Sequence, residues 1–125
     1  YNIGVAVDTD KVLVVPVIRD ADKLSISQIA EAVQNLALKA AEGKLEMNDF
    51  KDGTFTITSY GSIGGKYAAP VINYPQAGIL GVGRVYEQLP ISAAVDHRIV
   101  DGGEVTRFLN RVLEYLSDPV SLLMD

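Results

Sequence analysis

The chain has 125 residues, 48% of them hydrophobic, with a net charge of -5 and no cysteine. This length sets one domain with room for a core, and an acidic balance without a Lys/Arg cluster argues against nucleic acid, whose phosphates need clustered cations. Absent cysteines exclude disulfides, thiolate metal sites and a cysteine nucleophile within these residues and fit a reducing compartment, and no apolar run approaches the ~20 residues that span a bilayer.

The opening Tyr1-Asn2-Ile3-Gly4-Val5 carries neither a basic segment nor a cleavage site, so it does not read as a targeting peptide. It starts inside what reads as a strand, which predicts a fragment of a larger chain. Ile3 to Val7 and Val12 to Val17 are β-rich runs across the polar Asp8-Thr9-Asp10-Lys11, and predict a hairpin. Pro16 places that end at an edge or a strand terminus. Asp8 reads as a turn residue.

A helix is predicted from about Ser25 to Glu42. Ser25 with Gln28 forms a capping box, and Ile26, Ile29, Ala30, Val33, Leu36, Ala37 and Ala40 follow the helical period. Gly43 suits its C-terminal stop. Leu45 to Asp52 is expected to connect, with a brief turn of helix. Thr54 to Ser59 alternates β-formers and predicts a strand, ending in the glycine-rich Tyr60-Gly61-Ser62-Ile63-Gly64-Gly65, which is not a P-loop. Taken alone, Thr58 and Ser59 are strand-end residues. Prolines 70 and 75 mark turns, and Ile79 to Val85 predicts a buried strand. Gly81 and Gly83, two apart on one face, imply close approach of backbone or of a ligand.

Ile91 to Val95 predicts another buried strand, and a helix begins near Asp101 with Glu104 as a second capping pair. Val105, Phe108, Leu109, Val112, Leu113 and Leu116 form its apolar face, and it ends near Ser117-Asp118-Pro119. The tail from Val120 to Met124 is apolar and is expected to dock. Between strand and helix stands His97, the only histidine. Its pKa near neutrality lets it take and return a proton, and a strand-to-helix junction is a usual place for functional side chains. A packed histidine is the competing reading. Asp101 either orients the imidazole or caps the helix that it begins, the cap being preferred. Arg98 either binds an anion or forms a buried ion pair, the ion pair being preferred.

Asp96-His97-Arg98-Ile99-Val100-Asp101-Gly102 resembles the D-H-R-x-x-D-G motif of the dihydrolipoamide acyltransferases, the E2 cores of the 2-oxoacid dehydrogenase complexes. Asn2 to Thr9 resembles that family's N-I-G-[IV]-A-[VM]-D-T, Leu13 to Val17 its L-[IV]-V-P-V, and Gly53 to Gly65 its G-T-F-T-[IL]-[ST]-N-x-G-x-x-G-G. Pro70 to Arg84 resembles P-V-I-N-x-P-[EQ]-x-[AG]-I-L-G-[VI]-G-[RK], and Ser117 to Leu123 resembles N-D-P-x-x-[LM]-L. Val12 replaces a usual Gly and Ser59 a usual Asn. The resemblance covers the C-terminal part of the catalytic domain, and a polar hairpin that the family carries near positions 88–90 is expected to be absent from the sequence given, since Gln88-Leu89 offers no turn signal.

The resemblance implies an α+β fold, a two-layer sandwich of mixed β-sheet and helices like chloramphenicol acetyltransferase, forming trimers. It implies transfer of an acyl group between dihydrolipoamide and coenzyme A, with His97 as general base, Thr58 donating to the transition-state oxyanion, Asp101 placing His97, and Asp8, Ser59, Ser62 and Gly83 beside coenzyme A. Tight strand packing is the alternative for Gly83. The histidine and the hydroxyl are implied to come from neighbouring chains of a homotrimer that assembles into a hollow cage. Lipoate would be carried on a separate lipoyl domain, no metal is implied, and the E1 and E3 enzymes would be partners through other domains. The implied compartment is the cytoplasm, or the mitochondrial matrix in a eukaryote. Three other readings stand beside this one: a catalytically silent E2-like scaffold, a chloramphenicol-type O-acetyltransferase, and a small ligand-binding domain with a packed histidine.

Overall fold

The computed structural model describes residues 1–123. Met124, the last residue of the predicted docking tail, lies outside the described residues. Seven strands and two α-helices follow in chain order: β1 (Ile3–Val5), β2 (Val7–Asp8), β3 (Leu13–Val14), β4 (Val17–Ile18), α1 (Ile26–Ala41), β5 (Phe55–Ser59), β6 (Gly78–Val82), β7 (Ile91–Val95) and α2 (Gly102–Ser117). The principal sheet has the order β4-β1-β5-β6-β7, and β2 pairs with β3 as a separate ribbon. β1, β5 and β6 run parallel, while the outer strands β4 and β7 run antiparallel to their neighbours. This is the mixed α+β arrangement that the resemblance implied.

The predicted first hairpin is present but broken in two. Ile3 stands opposite Ile18 and Gly4 opposite Val17, while Val7 stands opposite Val14. The break falls at Ala6, whose amide turns instead to the Ile57 carbonyl (3.0 Å), and at Pro16, which has no amide to give to a ladder. Pro16 is fully buried, and its carbonyl accepts from Val5 N at 2.9 Å.

Both helices start where their caps predict. Ser25 accepts from Gln28 N (3.2 Å) and Gln28 Oε1 accepts from Ser25 N (2.8 Å), a complete capping box. Gly43 follows α1 with φ +69°, the left-handed conformation that glycine adopts at low cost. A 3-10 turn at Met47–Phe50 occupies the predicted connector. α2 seats on the sheet through Phe108, whose ring meets Phe55 edge-on at 5.6 Å.

The interior is small. Val17, Ile18, Ala40, Ile79 and Leu80 are its buried apolar residues, and Thr56 is its one buried polar side chain among the described residues. The Thr56 hydroxyl is satisfied by donating to Gln76 Oε1 at 2.5 Å. β6 is buried from Gly78 to Gly81, as its composition predicts. β7, read as a buried strand, is half-buried throughout, because it forms the sheet's edge with no neighbour beyond it. The strand predicted to reach Val85 stops at Val82, where Arg84 N leaves the ladder to donate to Gly65 O at 2.8 Å.

Thr56→Val removes the donor to Gln76 and keeps the shape. It should lower stability by about 1–2 kcal/mol, since the Gln76 oxygen loses its partner in a part-buried site. Urea unfolding checks this.

Candidate active site

The strand register sorts the predicted site residues into two groups. Thr58 stands beside Gly81, and Gly81 beside Ser92. Asp8 lies just beyond β1, which runs parallel to β5, so it projects toward the same C-terminal end. Ser59, Ser62 and Gly83 complete this end. Ligands of open sheets with parallel strands commonly sit at such carboxyl ends. His97 follows β7, which runs the other way, and therefore emerges at the opposite end with Asp101.

The separation is large on elementary geometry. Five residues of extended chain from Ser92 to His97 span about 16 Å, and two inter-strand steps add about 10 Å across the sheet. The hydroxyl of Thr58 and the imidazole of His97 in one chain cannot touch a common thioester.

The hydroxyl end is built on close packing of glycine backbone. A Cβ on Gly83 would lie 2.2 Å from Lys66 O, and one on Gly61 would lie 2.5 Å from the Gly83 carbonyl. The 3-10 turn Gly61–Ile63 thus presses against the end of β6 and shapes the loop, with Ser62 Oγ donating to Ser59 O at 3.2 Å. The close approach at Gly83 is therefore one of backbone to backbone. A Cβ on Gly81 would strike Tyr60 (2.8 Å) and Ser92 (2.9 Å), so the Thr58 side chain shares a face with both. Among the described residues the Thr58 hydroxyl makes no hydrogen bond and is free to donate. Tyr60 Oη lies 3.0 Å from Ser92 Oγ, which donates to Ala68 O at 3.0 Å. A cavity of about 700 Å³ opens beside them, lined also by Lys66 and Tyr86. Sequence reasoning missed Tyr60 and Ser92. The available signal was Ser92 itself, a lone hydroxyl inside an otherwise apolar strand.

The sequence offers no turn signal between β6 and β7, and the polar hairpin that the family carries there is expected to be absent from the sequence given. The connection closes as a hairpin: Gly83 N donates to Pro90 O (2.8 Å) and Tyr86 N to Gln88 O (3.2 Å). Between Arg84 and Leu89 no Gly or Asn signals this, because the antiparallel ladder rather than local turn chemistry sets its path.

At the other end His97 is exposed, and its imidazole has no hydrogen-bond partner among the described residues. It is not the packed histidine of the competing reading. Asp101 accepts from Glu104 N at 2.8 Å, and Glu104 Oε2 accepts from Asp101 N at 3.1 Å, a second capping box. Its carboxylate thus serves the helix and is not bonded to His97. Arg98 does form an ion pair, with Asp96 at 2.7 Å, but its side chain is 87% exposed rather than buried. The Arg98 guanidinium, followed by its backbone amide, holds the Asp96 carboxyl down at about 2. No group of His, Asp and Glu capable of holding a metal occurs among the described residues, and no helix among them is long and apolar enough to cross a membrane.

Comparison with known proteins fixes the class. The chain belongs to the 2-oxoacid dehydrogenase acyltransferase family, whose catalytic-domain model matches residues 1–124. Among curated relatives, the dihydrolipoyllysine-residue acetyltransferase component of the pyruvate dehydrogenase complex of Mycoplasma capricolum is 45% identical over 136 residues, covering 98% of this chain and 31% of that protein. The succinyltransferase component of the 2-oxoglutarate dehydrogenase complex of Rickettsia typhi is 44% identical over 138 residues, covering 100% of this chain and 35% of that protein. The chain therefore spans about a third of the length of the curated relatives it matches. Among solved structures, the dihydrolipoamide acetyltransferase of Azotobacter vinelandii superposes with TM-score 0.93 at 38% identity, over 98% of this chain and 56% of that one. The roles of a serine, a histidine and an asparagine in that enzyme's catalytic mechanism have been investigated.

Asp101→Ala should lower stability by about 1 kcal/mol through loss of the α2 cap, read by thermal unfolding. Asp96 has a depressed carboxyl, so its contribution to stability is present above the ordinary value of 3.8 and is lost as pH falls through about 2. The difference in urea midpoint between wild type and Asp96→Asn should stay flat above about pH 5 and close on approach to about pH 2. A difference unchanged at the acid end would contradict that assignment.

Proposed function

We propose that this chain is the C-terminal part of an acyltransferase catalytic domain that moves an acyl group between dihydrolipoamide and coenzyme A in a 2-oxoacid dehydrogenase complex. The observation that carries this reading is the division of the site. A free hydroxyl and a free imidazole stand at opposite ends of one sheet, as they would if each completed a site with the other's counterpart on a neighbouring chain. A heterologous interface repeated around a closed ring brings one end of each chain to the opposite end of the next, and we assign the assembly as a homotrimer that builds a larger core.

Two spacings support the assignment of residues. In the Azotobacter enzyme the asparagine follows the histidine by four positions, as Asp101 follows His97. The serine there precedes the histidine by 52 positions, and Thr58 precedes His97 by 39. The difference of 13 equals the difference between the 138 aligned residues of the Rickettsia relative and the 125 of this chain. We place that shortfall in the 83–90 connection.

The chemistry follows from the groups. His97 takes the proton of the attacking thiol, which is only partly ionised at neutral pH, and returns it to the thiol that leaves. General base catalysis of this kind is worth roughly 10²–10⁴ in rate. The tetrahedral oxyanion accepts from the Thr58 hydroxyl, a contribution of about 10²–10³. Asp101 acts by fixing the start of α2 and so the turn that carries His97. Coenzyme A is held at the hydroxyl end near Asp8, Ser59, Ser62 and Gly83, while the lipoyl group arrives on a separate domain. The partners are that lipoyl domain and, through other domains, the E1 and E3 enzymes, and the compartment is the cytoplasm or the mitochondrial matrix. No step calls for a metal, because the thioester is already activated.

Full-length His97→Ala and Thr58→Val proteins should each lose at least about 10²-fold in transfer from acetyl-CoA or succinyl-CoA to dihydrolipoamide. Unfolding the two together and reassembling them in equal amounts should restore about a quarter of the wild-type rate, because about one interface in four then pairs an intact imidazole with an intact hydroxyl. No recovery in correctly assembled mixtures would refute a site shared between chains. An inactive but assembled wild type would favour the silent scaffold.

A further inference from the structure

The turn that carries His97 is fixed on both sides of it. Asp96 N donates to Ala77 O at 2.7 Å, which ties the turn to the residue before β6. Asp96 O accepts from the amides of Ile99 and Val100, each at 2.9 Å. The Asp96 side chain is 18% exposed and reaches over His97 to Arg98. Its Oδ1 accepts from Arg98 N and from Arg98 Nε, each at 3.0 Å, and its Oδ2 accepts from Arg98 Nη2 at 2.7 Å.

This use of an arginine is unusual for a residue 87% exposed. A long, mobile side chain would ordinarily extend into water, and surface ion pairs contribute little to stability. Here the planar fork folds back on a carboxylate two residues away and grips both oxygens. Lysine could supply the charge but not the paired bonds. The result is a closed loop of hydrogen bonds around His97, whose imidazole has no hydrogen-bond partner among the described residues.

We propose that Asp96 and Arg98 form a clamp that sets the direction of the His97 imidazole, making Asp96 a positioning residue for acyl transfer. The proposal rests on the reading of His97 as the general base. The clamp fixes the backbone on either side of His97 and so limits the arc that the ring can sweep. A base delivered across a subunit boundary must arrive aligned, and a misplacement of about 1 Å can cost roughly 10²-fold in rate. The fork edge of Arg98 formed by Nε and Nη2 is occupied, so its function is internal rather than the capture of an anionic substrate.

The test is carried out on the full-length assembled protein with Asp96→Asn, Arg98→Met, Arg98→Lys and the double variant Asp96→Asn/Arg98→Met. We expect kcat to fall about 10- to 100-fold in both neutralising single variants, with KM for acyl-CoA within about twofold, because that ligand binds at the hydroxyl end. Arg98→Lys should recover part of the loss, and the double variant should be no worse than either single one, since the pair acts as a unit. Wild-type kcat in Asp96→Asn, or additive losses, would overturn the clamp. So would loss of the trimer in both single variants, by sedimentation, because the pair would then serve folding alone. Full activity in His97→Ala would sink the underlying reading of the base, whereas an inactive His97→Ala beside a fully active Asp96→Asn would sink only the clamp.

Discussion

One reversal of strand direction governs the site. β5 and β6 run parallel, and β7 runs against them at the edge. A residue that leaves β7 at its end therefore emerges where β5 and β6 begin. Thr58 on β5 and His97 just past β7 belong to strands separated only by β6, yet they face opposite ends of the sheet. No side-chain rearrangement can change this, because the ladder of Gly78–Val82 against Ile91–Val95 fixes the register residue by residue, and a slip of one position would turn every side chain to the other face.

Each end is rigid for a different reason. At the hydroxyl end the loops are held by the absence of side chains. Gly61, Gly81 and Gly83 sit where an added Cβ would meet backbone or ring atoms below 3 Å, so the glycine-rich segment folds as a packed corner against β6. At the imidazole end the rigidity is polar. The cap on α2 and the Asp96–Arg98 pair fix the short turn between β7 and α2. Both devices fix the backbone on either side of His97.

The chain's own interior does not account for all of its apolar surface. α2 is strongly amphipathic, yet Phe108, Leu113 and Leu116 remain 42–48% exposed, and Val120 and Leu123 in the closing 3-10 turn are 63% and 74% exposed. The pattern of the stripe was legible in the sequence, but the described residues do not cover it. Among the described residues, Val120 and Leu123 of the tail expected to dock find no deep seat.

Local chemistry was written in the sequence and needed no partner to act. Both α-helix starts, the left-handed stop at Gly43, the strands Thr54–Ser59 and Ile91–Val95, and the motif around His97 could be read directly, because caps, period and turn residues act over four or five positions. What depended on contacts distant in the chain could not. The break of the first hairpin at Ala6, the closure of the 83–90 connection by the ladder, the partnership of Tyr60 with Ser92 and the exposed rather than buried Arg98 pair were decided by neighbours far along the sequence or by position at the sheet's edge. Above all, sequence can name a hydroxyl and an imidazole as candidates, but only the order and direction of strands determine that one chain holds them too far apart to share a substrate.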